Sequence, residues 1–343
     1  MRKLLNTLFV TTENAYCSLD GENIVVSDGK LELGRFPLHI LEAIYIFSYK
    51  GASPALMGKC AVSNINLVLM SPQGKFLCRV VGESNGNVLL RREQYRTADT
   101  PDKSIPIIKN FVFAKINNER CVLERAIRNH GTRLDVSSLE EIIITLKDLQ
   151  NRVLEAENVD EIRGMEGVAA AKYFSRFNDL ILQQEEAFSF NGRSRRPPMD
   201  RINALMSFAY VLLANQCAAG LEMVGLDSYV GLMHTDRSGR QSLALDLMEE
   251  FRAVYADRFV LNLVNLKIVN KDDFEIQENG AAIISPNARK NVQKAWHDYI
   301  TEEIEHPYIG VKLQRGLIPY AQSLLLARCI RGDLDEYPPY LMR

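Results

Sequence analysis

The stretch Val80-Val81-Gly82-Glu83-Ser84-Asn85-Gly86-Asn87-Val88-Leu89-Leu90 is where the pattern of the chain changes. Its centre, 83–87, is polar, carries a glycine and reads as a hinge. Before it, apolar and polar residues alternate, which is the period of half-buried strands. Beyond it, apolar residues recur at the 3.6-residue period of amphipathic helices.

Working upstream, Asp20-Gly21 separates 15–19 from 23–26, and Asp28-Gly29 separates that segment from 31–35. Asp-Gly between alternating apolar residues predicts a hairpin, because such a turn needs positive φ. The run 41–47, centred on Ile44, Tyr45 and Ile46, reads as a buried strand. Ser53 before Pro54 predicts the cap and first position of a short helix. A further hairpin is expected for 66–70 and 75–80 around Ser71-Pro72-Gln73-Gly74. Downstream, helical patterns cover 89–97, 104–118, 119–130, 138–157, 159–186, 201–224, 242–264, 287–304 and 310–332. The stretch 191–198 holds Gly192, Pro197 and Pro198 and predicts a loop. No internal repeat is visible. The fold class expected is α+β: a small N-terminal β-rich domain, 1–85, followed by a larger all-α domain, 86–343.

Composition agrees with a folded chain. Of 343 residues, 47% are apolar and 24% charged, which excludes disorder of the whole. The net charge of −2 does not announce a nucleic-acid partner, but binding patches are local. Residues 91–133 hold ten Lys/Arg against five Asp/Glu, and 193–201 hold four Arg against one Asp. No apolar run approaches the roughly 18 residues of a membrane span. The basic start, Met1-Arg2-Lys3, precedes an apolar stretch broken by Asn6, Thr7, Thr11 and Thr12, a poor signal peptide. The six cysteines are scattered without metal spacing and are expected to be reduced, buried thiols of a cytoplasmic protein.

P-loop, GxSxG and strand-to-helix GxGxxG patterns are missing, so the usual support for nucleotide-binding and serine-hydrolase readings is gone. Three places hold acids or an imidazole in unusual surroundings. Glu166 is flanked by Gly164 and Gly167, and with Ala171 these make a small-residue face open to a ligand or to a tight helix crossing. His234 closes the Gly-punctuated segment 225–234, as a ligand or as a structural histidine. Asp246 and Glu249 are spaced i, i+3 and share one helix face. Asp246 interrupts an apolar run, and either a cation or the helix dipole could stabilise it. Taken together, two or three carboxylates and one imidazole suit a hard divalent ion, Mg²⁺ or Mn²⁺. Beside basic residues such a site suits phosphodiester chemistry.

These residues resemble the CRISPR-associated spacer-acquisition integrases, the Cas-one family. The resemblance spans the chain. It is carried by Lys115-Ile116-Asn117-Asn118, Gly164-x-Glu166-Gly167 with Tyr173-Phe174, Asn203-Ala204-Leu205, Gly225-Leu226-Asp227 leading to Gly231-Leu232-Met233-His234, and Leu245-Asp246-Leu247-Met248-Glu249-Glu250-Phe251-Arg252. The opening Leu4-Leu5-Asn6-Thr7-Leu8 resembles the type I-C branch. The family implies a dimerising β-domain (a homodimer) and a helical catalytic domain. It implies a metal site from Glu166, His234 and Glu249, where many relatives carry aspartate at the last position, with Asp246 close by, either supporting the ligands or as an auxiliary ligand. It also implies the reaction: the 3′-hydroxyl of a short foreign DNA fragment attacks a phosphodiester at the edge of a CRISPR repeat. A small Cas-two protein bridges two dimers, and with water as nucleophile the site is a weak nuclease. The cations expected to hold DNA are Lys115, Arg125 and Arg128 on helices, Arg193, Arg195 and Arg196 in a loop loosened without DNA, and Arg252 one turn after Glu249. A solvated surface is the ordinary alternative for each. The competing functions are a non-catalytic DNA-binding scaffold and a metal-dependent nuclease acting on RNA.

Overall fold

Asp20-Gly21 and Asp28-Gly29 turn the chain as their residue types require: both glycines have positive φ, 57° and 59°. The computed structural model describes residues 6–12, 14–72, 76–82, 88–194 and 196–342. The 83–87 hinge, the turn residues Gln73 and Gly74 with Lys75, and Arg195 lie outside the described residues, as do the first five residues on which part of the type I-C resemblance rests.

In chain order the strands are β1 (Asn6–Val10), β2 (Tyr16–Asp20), β3 (Asn23–Asp28), β4 (Leu31–Pro37) and β5 (Leu41–Ile46). Helix α1 (Pro54–Val62) precedes β6 (Asn66–Met70) and β7 (Phe76–Arg79). Then come α2 (Val88–Asp99), α3 (Pro101–His130), α4 (Val136–Glu155), α5 (Val159–Ser175), α6 (Arg201–Met223), α7 (Ser242–Glu249), α8 (Arg258–Asn265), α9 (Pro286–Thr301) and α10 (Ile318–Arg331). The order is β-rich, then helical, with four three-residue strands within 274–314.

The chain divides into two compact units. The first comprises 1–85 with 284–304 and 313–317; the second comprises 86–283, 305–312 and 318–343. The sequence reading expected one uninterrupted cut, with 86–343 in a single domain. Two short C-terminal segments instead group with the first unit, a feature that local pattern does not encode.

In the first unit, β2, β3 and β4 form an antiparallel meander, and the other sheet has the order β1-β5-β6-β7. There β1 and β6 run parallel to β5, and β7 runs antiparallel to β6. The sequence reading did not foresee β1 as a strand: its partner β5 lies some thirty residues on, and a parallel pairing leaves no turn signal. Ile24, Ile44, Leu56, Cys60 and Leu67 are fully buried in the shared core. Ser53 Oγ accepts from the Leu56 amide at 3.2 Å and Pro54 begins α1, as expected.

In the second unit, α3 is one helix of 30 residues and packs on α4, α5 and α7. Asn118 and Glu119, at the expected division between two helices, are buried and the helix runs through them. The 159–186 pattern is shorter than expected, because α5 ends at Ser175 and a 3₁₀ turn follows at Phe177–Leu180. The 242–264 pattern is broken as well: a π-helical turn, Arg252–Asp257, separates α7 from α8. By length and composition α6 could cross a membrane, contrary to the expectation that no apolar run comes near that length. However, 67% of its most apolar window is buried within the protein.

Candidate metal centre

Glu166, His234, Asp246 and Glu249 come from three elements of the second unit. Asn158 caps α5 by accepting from the Glu161 amide at 3.0 Å, which sets the helix that carries Glu166. A Cβ built on Gly164 or Gly167 would meet nothing within 4 Å. The small-residue face beside Glu166 is therefore bare backbone open to approach, not a tight helix crossing.

His234 ends a loop that is held from both sides. Buried Gln94 of α2 donates to the carbonyls of Asp227 (2.8 Å) and Val230 (3.0 Å) and accepts from the Asp227 amide (2.8 Å). Gly231 is obligatory, because a Cβ there would lie 2.6 Å from Ser242 Cβ and 2.7 Å from the His234 carbonyl oxygen. Arg163 of α5 donates to the Met233 carbonyl. Sequence reasoning missed Gln94 and Arg163; the only available signal was an amide in an otherwise helical stripe.

Asp246 organises the loop. Its Oδ2 accepts from the amides of Leu232 (2.7 Å) and Met233 (3.0 Å), and its Oδ1 accepts from the His234 amide (2.9 Å) and lies 2.5 Å from His234 Nδ1. The carboxylate is fully buried and both oxygens are occupied. Of the two roles the resemblance implied for Asp246, a group that supports the ligands or an auxiliary ligand, these contacts favour the first. Its Oδ1 faces His234 Nδ1 and orients the ring, with Nε2 on the side of Glu249. The dipole account of Asp246 is displaced by these four contacts.

Glu249, one turn on, is 2% exposed, whereas Glu166 and His234 keep 25% and 19% of their side chains accessible. Nε2 of His234 stands 3.9 Å from Glu249 Oε1, and Arg252 Nη2 lies 3.0 Å from the same oxygen. Between the two glutamates sits Lys115. Its ammonium hydrogen-bonds to Glu166 Oε1 and forms an ion pair, with angles off those of a hydrogen bond, with Glu249 Oε2 at 2.8 Å. Burial works against the Lys115 charge, but Glu249, Glu166 and Glu119 outweigh it and hold the ammonium above its ordinary range. Burial likewise works against the Glu249 charge, yet Arg252, Lys115 and His234 bring its carboxyl down to about 2. Lys115, expected among surface cations that hold DNA, is thus a buried member of the site.

Among the described residues no three His, Cys, Asp or Glu groups close around one point. The two glutamates close on the Lys115 ammonium instead. That arrangement tests the fit of a metal: the pair already holds a cation, and two carboxylates with one imidazole are donors suited to a hard divalent ion. The residues fit such an ion once the ammonium leaves the pair.

A cavity of about 500 Å³ adjoins the site, lined by Lys115, Glu119, Glu166, Arg193, Arg252 and Asp257 among others. Burial raises the carboxyl of Glu119 to about 8 and that of Asp257 to about 6. Arg193 is not loosened as expected. Its Nη1 donates to Asn203 Oδ1 at 2.6 Å, and its guanidinium lies 5.0 Å from the Tyr210 ring centre, with that of Arg252 5.3 Å from the same ring. Arg125, Arg128 and Arg196 are exposed. Tyr173 packs in the core.

The family described as "CRISPR associated protein Cas1" matches residues 8–298. "CRISPR-associated endonuclease Cas1 1" of Chlorobaculum tepidum is 45% identical over 343 residues, covering all of both chains. A solved casposase bound to integration product superposes with a TM-score of 0.80 at 21% identity, over 99% of this chain and 95% of that one. A chain of a Cas6-RT-Cas1–Cas2 complex superposes with a TM-score of 0.81 at 22% identity, over 99% of this chain and 36% of that one. At these identities the two structures speak to the fold. A family match over most of the chain and a full-length relative at this identity decide the assignment: the chain belongs to the CRISPR-associated Cas1 family.

Proposed function

We infer that this protein is a metal-dependent DNA endonuclease and integrase that inserts short foreign DNA fragments into a CRISPR array. The observation that carries the reading is that Glu166 and Glu249 close on one ammonium, with His234 Nε2 3.9 Å from Glu249, beside an exposed stretch of bare helix backbone. Its full-length relative is called an endonuclease, which supports hydrolytic and transfer chemistry at a phosphodiester.

Glu166, Glu249 and Nε2 of His234 would hold the divalent ion, Mg²⁺ or Mn²⁺. When bound, the ion polarises a non-bridging phosphate oxygen and offsets the charge of the transition state. Asp246 keeps the His234 proton on Nδ1. Arg252 would supply fixed positive charge near the reacting phosphate, and Lys115 a second charge once it leaves the glutamate pair. The exposed guanidinium groups of Arg125, Arg128 and Arg196, with Arg193 and Arg195, hold the duplex backbone without reading its sequence. The substrates on this reading are duplex DNA with free 3′ ends and CRISPR repeat DNA.

Homodimerisation through the first unit is supported by β4, an edge strand whose Leu31, Leu33 and Phe36 are exposed. A Cas2 partner is supported by the structural relative that contains one. The type I-C branch rests on the opening residues alone.

The test is half-site integration into a supercoiled plasmid. His234→Ala should lower strand transfer by about 100-fold or more while duplex affinity is kept. Chelation by EDTA should abolish activity, and Mn²⁺ should restore it at least as well as Mg²⁺. Full activity of His234→Ala, or full activity in chelator, would overturn the reading.

A further inference from the structure

Glu249 is followed by a second buried glutamate for which the catalytic reading has no use. Glu250 is fully buried, and its carboxylate turns away from the metal centre. It accepts from the Tyr340 amide at 2.5 Å, from the Tyr337 hydroxyl, and from Gln322 Nε2 at 3.2 Å. Gln322 is itself fixed, donating to the Pro338 carbonyl at 3.1 Å and meeting His306 Nε2 at 2.9 Å. Every donor to Glu250 therefore belongs to the segment 337–342 or to a residue holding it.

Asn118 ties the same segment to the helix that carries Lys115. Its Nδ2 donates to the Glu250 carbonyl at 2.7 Å and to the Tyr340 carbonyl at 2.8 Å, while its Oδ1 accepts from the Met342 amide at 2.8 Å. Asn118 lies one turn beyond Lys115 on α3, so both face α7. One residue contacts the Glu249 carboxylate; the other grips the peptide immediately after it.

The backbone makes this grip matter. α7 ends at Glu249, the Phe251 amide falls back to the Met248 carbonyl, and a π-helical turn follows from Arg252. The α-helical ladder is interrupted just where the glutamate must be aimed, and such π turns recur at functional sites. With the ladder broken, the position of Glu249 depends on what holds Glu250.

We propose that the segment 337–342 is a positioning strap for the catalytic centre and that Asn118 is the positioning residue through which it fixes Glu249. The proposal rests on the metal-centre reading given above. Neither Asn118 nor the strap touches the ion or DNA; they set the carboxylate that does.

The test compares Asn118→Ala, Tyr337→Phe and a control, Leu149→Ala, which removes core packing on α4 and none of the strap's hydrogen bonds. Each is assayed as the full-length chain well below its melting temperature. Mn²⁺ affinity is read from the free-ion electron paramagnetic resonance signal, and half-site integration is split into KM for DNA and kcat. Asn118→Ala should weaken Mn²⁺ binding and lower kcat by about 10- to 100-fold each, the range seen when ligand-orienting groups are removed, with KM for DNA little changed. Tyr337→Phe, which removes a single hydroxyl and keeps the chain foldable, should shift both in the same direction by a smaller factor. Leu149→Ala should leave both near wild type. If the strap variants behave like the Leu149 control at matched stability, the strap is merely structural and the proposal is overturned. A wild-type protein that neither binds Mn²⁺ nor transfers strands would overturn the metal-centre reading itself, and the proposal with it.

Discussion

Asp246→Asn separates orientation from ligation, because it leaves all three proposed metal ligands in place. The native carboxylate takes four contacts, two on each oxygen. An amide offers one oxygen and one NH₂, so it cannot accept all four. The less costly orientation puts oxygen at the Leu232 and Met233 amides and nitrogen at His234. The His234 amide then loses its acceptor, and the imidazole must accept where it donated, which moves its proton to Nε2. One buried amide left unpaired costs about 1–3 kcal/mol, and the two remaining bonds lose their charge assistance. A total of about 2–4 kcal/mol follows, or a fall in Tm of roughly 5–15 °C at ~2–4 °C per kcal/mol. The functional consequence is sharper, because a proton on Nε2 occupies the lone pair that would face the metal. Thermal unfolding reads the first effect. Nitrogen-15 chemical shifts of the His234 ring read the tautomer, and Mn²⁺ binding should weaken by about 10- to 100-fold. An unchanged Tm together with an Nδ1-protonated ring and native Mn²⁺ affinity would refute the assignment of Asp246 as the orienting group.

The glycines of the site make opposite predictions. Gly231→Ala places a Cβ against Ser242 and the His234 carbonyl, and chemical denaturation should register about 1–3 kcal/mol of destabilisation; a native midpoint would refute the close approach. Gly164→Ala and Gly167→Ala meet open space, so each should stabilise α5 by up to about 1 kcal/mol in the same assay. Lys115→Met leaves buried Glu249 and half-buried Glu166 without their ammonium, so it should lower stability in chelator by about 2–3 kcal/mol. Added Mn²⁺ should then raise its Tm further than that of wild type, since the ion no longer displaces a lysine; equal shifts would refute the competition. Burial raises the Cys17 thiol to about 12 and Cys60 to about 11, and both are enclosed in the first core. A disulfide reagent at pH 8 should label exposed Cys78 quickly and leave Cys17 and Cys60 unlabelled until denaturant is added. Since their folded values lie above the unfolded ones, their contribution to stability is present below pH 9 and lost as pH rises through the folded range.

Much of this architecture can be read locally. Asp-Gly pairs gave the meander, Ser53-Pro54 gave the start of α1, and the change of period near 83–87 gave the order of β-rich and helical parts. What could not be read depends on distant partners. β1 is a strand because β5 comes to lie beside it. The single helix α3 carries Asn118 and Glu119 through a polar stretch because the surrounding elements bury it. At the site, residue type and spacing pointed to Glu166, His234, Asp246 and Glu249, and the family resemblance alone implied Glu166, His234 and Glu249 as the ligand set. The division of labour among their neighbours was illegible. Asp246 and Glu249 look alike in sequence, spaced i, i+3 on one helix. Only the loop folding back over α7 saturates the first with donors and leaves the second facing cations.

Lys115 shows why a site of this kind can fold before its ion arrives. Glu249 is nearly inaccessible, and a buried carboxylate without a partner is driven to take up a proton, which would spoil it as a ligand. Arg252 and Lys115 prevent this, bringing the Glu249 carboxyl down to about 2. The two cations differ in what they can release. Arg252 is fixed over Tyr210 and bonded to Glu249 Oε1, whereas Lys115 reaches the Oε2 side on a flexible stem and touches Glu166 as well. On the proposed reading a divalent ion between the glutamates would compete first with the lysine, and toward His234 Nε2 it would also meet Arg252 at Glu249 Oε1. Lys115 also lines the adjoining cavity, so on the proposed reading its displaced ammonium would have room there beside a phosphate oxygen. The same side chain would then serve as a counter-ion for folding in one state and as a positive charge for the substrate in the other.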